Sequence, residues 1–463
     1  MIASFLRERF GVRTRRTRDM LTGGVSLSIA QAVSIALGIV TTGLLARYLN
    51  AKEFGLWALV MSLTGVVGAT DLGFGNALRN KLSSLYAQGV SADEDARLYF
   101  LSIFAMFLGL AALLTIAGVV GRAFLPWPRI FNSTDPKILS AGARLFEIGI
   151  PFFTLTQAFG IGQMGFFSYQ ESHWNAVFGT ASKALLLVLT LACVGLGAGI
   201  VPLNVAFLSG SLAASAAAFF VFVRRRGWTL TPPSLHTAAR KARDLWAKSA
   251  EFILLQLAAT VYVQADLFLV SGTVGLASVG DYVLVKKLYL LFGALQFSFL
   301  MPIWSAYTEA VESRDYAWTR TTMVRAAAAS AAFFGLAILV MSFFGAGIIR
   351  LWTGKVVSGR ALYVLLGTAF LLQGWSNSFS VFLNSVGRLR RQIGLAALAA
   401  LLLVWLAPRL ARAYGVDGVC LALILSALPA AVSNPIESFA FLREREREVS
   451  ESPSPAKLMA AIE

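Results

Sequence analysis

Residues 44–81 read LLARYLNAKEFGLWALVMSLTGVVGATDLGFGNALRNK. The stretch holds the end of one apolar segment, a short polar loop, a second apolar segment and a basic exit at Arg79 and Lys81. The second segment, roughly 54–77, carries one charge, Asp71, and is long enough to cross a bilayer as a helix, which needs about 20 apolar residues. A membrane hairpin is the simplest structure that this pattern encodes.

The rest of the chain repeats that pattern. Of 463 residues, 57 % are apolar and 14 % charged, and the mean hydropathy is +0.70. Soluble domains carry about a quarter charged residues. Twelve apolar spans are expected, at approximately 22–46, 54–77, 99–120, 141–168, 175–197, 201–223, 245–271, 281–307, 327–349, 361–385, 393–412 and 416–442. The expected fold class is therefore an all-α polytopic membrane protein.

A net charge of +16 raises the question of nucleic acid. A nucleic-acid binder gathers its Lys and Arg on one face of a soluble domain. Here they sit in short loops between apolar spans, where they set topology and meet anionic headgroups. With a cytoplasmic N-terminus, and with Lys248, Arg409 and Arg412 at span ends counted with the adjoining loops, the inner segments hold 26 Lys and Arg against 10 in the outer loops, so both termini are expected in the cytoplasm. Cys193 and Cys420 lie inside apolar spans, and His173 and His236 in loops, so neither a disulfide framework nor a metal site is expected.

The longest inner connection falls after the sixth span and divides the chain into an N-terminal lobe, 1–223, a basic linker, 224–244, a C-terminal lobe, 245–442, and a charged tail, 443–463, expected to end in disorder. The linker reads equally well as an amphipathic helix on the inner leaflet or as a plain basic connection. The lobes look like copies. Leu49 to Val60 aligns with Val274 to Val285 at an offset of 225, and the glycines, an aromatic pair and the closing Leu-Val coincide. Both copies begin with an outward-running helix, so the repeat is parallel.

The loop Arg47-Tyr48-Leu49-Asn50-Ala51-Lys52-Glu53-Phe54-Gly55, together with Asp71-Leu72-Gly73-Phe74-Gly75-Asn76-Ala77, resembles the signature of Wzx-type polysaccharide flippases. Tyr414-Gly415-Val416-Asp417-Gly418-Val419 opens the last span much as it opens in those relatives. The superfamily also contains MATE-type multidrug exporters and the lipid II flippase. The resemblance implies two six-helix lobes around a central cationic cavity, in a bacterial inner membrane. It also implies movement of a polyprenyl-diphosphate-linked oligosaccharide from inner to outer leaflet by alternating access, without a cofactor or covalent step. Membrane lipids and polysaccharide polymerase or assembly proteins would be the other partners. The repeat makes a monomer self-sufficient. The alternative is a MATE-type cation-coupled antiporter of drugs or small solutes, which would want buried carboxylates.

A charge within a span must face a cavity, pair or snorkel. The cations Arg144, Lys183, Lys286 and Lys287 are the candidate substrate-binding groups. Asp71, Glu147 and Asp266 are the acids, for ion coupling or for structure. Arg144 and Glu147, three residues apart, can pair on one helix face. Asp266 can neutralise one of Lys286 and Lys287, which point about 100° apart on their helix. No P-loop and no paired carboxylates on a soluble domain are present, and no large polar loop offers room for a sugar-processing domain, so an enzyme is not expected.

Overall fold

The computed structural model describes residues 33–68, 74–169, 171, 173–357 and 359–451. Among these, the long elements are all helices: α1 (Val33–Tyr48), α2 (Ala51–Gly68), α3 (Phe74–Ala87), α4 (Asp93–Gly121), the short α5 (Trp127–Phe131), α6 (Pro136–Ser168), α7 (His173–Gly195), α8 (Ile200–Arg226), α9 (Leu235–Thr273), α10 (Leu276–Glu312), α11 (Tyr316–Thr353), α12 (Arg360–Ser385) and α13 (Arg390–Glu451). Each of the twelve expected spans overlaps one of them. Six stretches among the described residues are long and apolar enough to cross a membrane outright: 90–121, α6, α7, α8, α11 and most of α13. The chain is a multi-pass membrane protein.

The last two spans are not separated by a loop. They form α13, broken at Gly415, whose φ of 58° and ψ of −135° lie outside helical space. Glycine adopts such a φ without the steric cost a Cβ imposes. Three residues on, a Cβ at Gly418 would collide with the Leu410 backbone. The YGVDGV motif thus reverses the chain, one glycine supplying the dihedral and the other the clearance. The second half continues helically through the charged run at Arg443 to Glu448.

The chain forms two compact units. The first comprises 1–50, 63–125 and 136–250. Helices have little hydrophobic reason to associate inside a lipid phase, so close packing and interhelical hydrogen bonds must hold them together. Gly162 of α6 supplies the first, its missing Cβ leaving room for the backbone of Phe219 in α8. Around that crossing lie Phe100, Phe104, Phe159, Phe166 and Phe222, with Phe104 stacked on Phe219 at 4.2 Å. Aromatic pairs of this kind contribute about 0.5–1.5 kcal/mol beyond the area they bury.

The linker belongs to this unit and is helical from Leu235 onward. The first turn of α4 grips it: Asp93 accepts from Trp228 Nε1 at 2.9 Å, Glu94 holds Arg97, whose guanidinium also donates to the Thr229 carbonyl at 3.1 Å, and Asp95 pairs with Lys241. One turn later, Tyr99 donates to Asp244.

The second unit comprises 51–62, 126–135 and 251–463. Two pieces of the chain's first half are therefore built into it. The piece containing α5 is tied down by Ser271 Oγ, which donates to the Ile130 carbonyl at 2.7 Å. Ala51 to Ser62 packs against α10 through glycine: a Cβ on Gly55 would strike the Leu276 carbonyl, and one on Gly280 would lie 3.3 Å from the Ala51 carbonyl oxygen. Leu276 and Gly280 are the residues 225 positions beyond Ala51 and Gly55. Deeper in the unit, Gln296 donates from Nε2 to Ser330 Oγ at 2.9 Å and to the Gly374 carbonyl at 2.7 Å, joining α10, α11 and α12.

Candidate functional site

The first unit contains a cavity of about 330 Å3 between α6, α7 and α8, reached by Gly75 of α3 and Phe107 of α4. Its polar lining follows helical spacing. Thr156, Gln157, Gly160 and Gln163 share a stripe on α6, Ser182 and Lys183 lie one turn beyond Phe178 and Gly179 on α7, and Ser211 and Ser215 stand four apart on α8. Pro151 sits inside α6 and withholds a backbone donor, and the hydroxyls of Thr154 and Thr156 bond the Ile150 and Phe152 carbonyls beside it, at 2.9 and 2.6 Å. Asn175 Nδ2 donates to the Gln163 carbonyl at 3.0 Å, fixing the start of α7 against α6.

Lys183 is the charged member of this lining. It stands ten residues into α7, about 15 Å along its axis, which is the middle of a membrane-spanning helix. It is half-buried, and among the described residues no hydrogen bond or ion pair engages it. A half-buried ammonium amid amides and hydroxyls is an anion-recognising arrangement, because a charge-assisted hydrogen bond compensates an anion for its lost water.

The other sequence-derived candidates are dispersed. Arg144 is exposed on α6 and does not pair with Glu147. Glu147 pairs instead with Arg122, the residue capping the end of α4, so the expected contact within one helix gives way to one between neighbouring helices. Lys286 is 7 % exposed and is not an open cavity cation. Its Nζ donates to Asp266 Oδ2 at 2.6 Å and to the Val263 carbonyl at 2.8 Å. Tyr282 OH donates to the same carboxylate oxygen at 2.6 Å, and the Leu267 N–H to the other at 2.7 Å, so the charge of Asp266 is fully answered. Lys287 lies 5.5 Å from the centre of the Trp57 ring, in a cation–π contact within the second unit. Asp71 lies outside the described residues. Sequence reasoning missed Phe178, Ser182, Ser211 and Ser215; the signal available was small polar residues at helical spacing around an intramembrane lysine.

The description "Polysaccharide biosynthesis protein" matches residues 20–306, more than half of the chain. The chain belongs to the polysaccharide biosynthesis protein family. No curated protein sequence matches this family member. Its fold is that of the MOP superfamily. It superimposes on an inward-facing multidrug resistance MATE family transporter with a TM-score of 0.77 at 13 % identity, covering 92 % of this chain and 100 % of the other. On the lipid II flippase MurJ in an inward closed conformation the TM-score is 0.71 at 15 % identity, with 90 % of each chain covered. A MOP superfamily transporter from Pyrococcus furiosus, described as having a binding pocket of reversed polarity, gives 0.64 at 14 % identity over 92 % and 96 %. At these identities the likeness is one of fold.

Proposed function

We propose that the protein flips a lipid-linked oligosaccharide, its lipid a polyprenyl diphosphate, from the inner to the outer leaflet of a bacterial inner membrane, with both termini cytoplasmic. The observation that carries this reading is the cavity of the first unit, where Lys183 offers a cation and Gln157, Gln163, Ser182, Ser211 and Ser215 surround it with amides and hydroxyls. Such a lining suits a phosphate attached to a sugar. Membership of the polysaccharide biosynthesis family supports the same substrate class. The cavity lining contains no carboxylate among the described residues, which favours an anionic cargo over a cationic drug. Movement proceeds by alternating access, with a single chain sufficient and polysaccharide assembly proteins downstream.

Depletion of the protein should cause lipid-linked oligosaccharide to accumulate on the inner leaflet. Wild type should clear the accumulation, and well-expressed Lys183→Ala should not. Clearance by Lys183→Ala at the wild-type rate would discard the cavity. Normal surface glycan without accumulation would discard the flippase.

A further inference from the structure

In the second half of α13, Asn434 and Glu437 are 3 % and 9 % exposed. Among the described residues, nothing donates a hydrogen bond to Asn434 Oδ1 or to Glu437 Oε2, and both atoms are shielded from solvent. Both are acceptors. Residues three apart share a helix face, with Cβ atoms about 5–6 Å from one another, so one small group can meet both oxygens. The neighbouring donors point elsewhere. Pro435 deprives the Ala431 carbonyl of its helical partner, and Trp375 Nε1 takes that place at 3.1 Å. Ser438 Oγ donates to the main-chain carbonyl of Asn434 at 2.8 Å. The Asn434 amide directs Nδ2 to Ser376 and Ser380, at 2.8 and 2.9 Å, which sets the direction of its Oδ1.

Charge decides what belongs between them. A buried carboxylate is paired or coordinates a metal ion. The ion pair that Glu437 makes among the described residues is with Arg391, whose Nε stands 4.0 Å from Oε2, too far for a hydrogen bond, and whose side chain is 61 % exposed. A water donating to both oxygens would still leave the carboxylate's charge to that solvated arginine. A cation answers the charge and both acceptors at once. An all-oxygen lining suits a hard cation, and a single carboxylate already shared with an arginine matches one positive charge better than two. The charged run at Arg443 begins six residues on, about 9 Å along the axis, so an ion reaches Glu437 from the polar end of the helix.

We propose that Asn434 Oδ1 and Glu437 Oε2 form a binding site for a monovalent metal cation, with water completing its shell. Bound there, the ion ties Glu437 to the residue that already grips α12, and it competes with Arg391 for the carboxylate. The site belongs to the second unit and shares no residue with the Lys183 cavity.

The test uses the full-length protein, purified in detergent without sodium and titrated calorimetrically with sodium chloride while choline chloride holds the ionic strength constant. Wild type should bind sodium saturably, and its thermal unfolding midpoint should rise with sodium but not with choline. Asn434→Leu and Glu437→Gln should each weaken binding at least about tenfold, the low end of what losing even an outer-shell partner costs a metal site. Both are read from monodisperse preparations only. Arg391→Gln probes the same site from the surface, without disturbing the core, and should tighten binding by removing the competing guanidinium. Arg320→Gln, at another exposed arginine of the second unit, should leave binding unchanged. Absence of saturable sodium binding by wild type would overturn the proposal. So would wild-type affinity in Glu437→Gln, or an affinity that Arg391→Gln leaves unaltered.

Discussion

Gly55 and Gly280 pack reciprocally: each brings its bare Cα against the helix that carries the other, at the carbonyls of Leu276 and Ala51. All four residues obey the offset of 225 seen in the sequence. The clearances differ. A methyl at Gly55 has no room, whereas one at Gly280 meets the Ala51 oxygen at 3.3 Å. Gly55→Ala should therefore destabilise the second unit by about 1–3 kcal/mol, the usual range for overpacking, and Gly280→Ala by distinctly less. Thermal unfolding of the two variants in detergent checks the order.

The Asp266–Lys286 pair is buried and fully hydrogen-bonded, so removing one partner strands the other. Asp266→Leu alone or Lys286→Met alone should each cost about 3–5 kcal/mol, and the double variant should cost less than either single. Unfolding midpoints of the three proteins test this. A double variant as unstable as the sum of its parts would show that Asp266 and Lys286 contribute independently and are not energetically coupled.

Arg144 and Glu147 share a helix face yet have different fates. Glu147→Gln should weaken the α4–α6 junction, and Arg122→Gln should do so to a similar degree with little further loss when combined. Arg144→Ala should leave stability within about 0.5 kcal/mol of wild type, as exposed substitutions do. A double-mutant cycle between positions 122 and 147 provides the measurement.

The hold on the linker is sensitive to acid. Arg97 keeps the Glu94 carboxyl below its ordinary value of 4.5 through their hydrogen bond. A depressed carboxylate contributes stability that is complete above its unfolded value and drains away as the pH falls through the folded one. Hydrogen exchange of residues 228–234, corrected for its intrinsic pH dependence, should thus quicken below about pH 4.5. Glu94→Gln should show the looser linker at neutral pH and a smaller change across that range, the carboxylates of Asp93, Asp95 and Asp244 still holding the linker.

Much of the architecture was legible because membrane helices are encoded locally. Apolar runs gave the spans, and the glycine–aromatic spacing gave the offset that the Gly55 and Gly280 contact obeys. The neutralisation of Lys286 by Asp266 could be anticipated from two charges at similar depth on consecutive helices. The partner of Glu147 could not, since helical spacing reveals only neighbours three or four residues away, and Arg122 is 25 residues distant. The same limit hid the grip of Asp93, Glu94 and Asp95 on a linker more than 130 residues downstream. It also hid which serines of α8 look toward Lys183, because periodicity defines a face but not what the face opposes.

The hairpin inside α13 has no slack. Leu410 and Gly418 are in contact across eight residues, and the helix that follows them to Glu451 carries Asn434, whose Nδ2 reaches Ser376 and Ser380 of α12, at 2.8 and 2.9 Å. One residue inserted after Gly418 would advance that helix by 1.5 Å and rotate it by about 100°. The amide would then face away from both serines. Chain length at this bend is thus as constrained as any side chain, and an epitope tag placed there would pull Asn434 away from both serines.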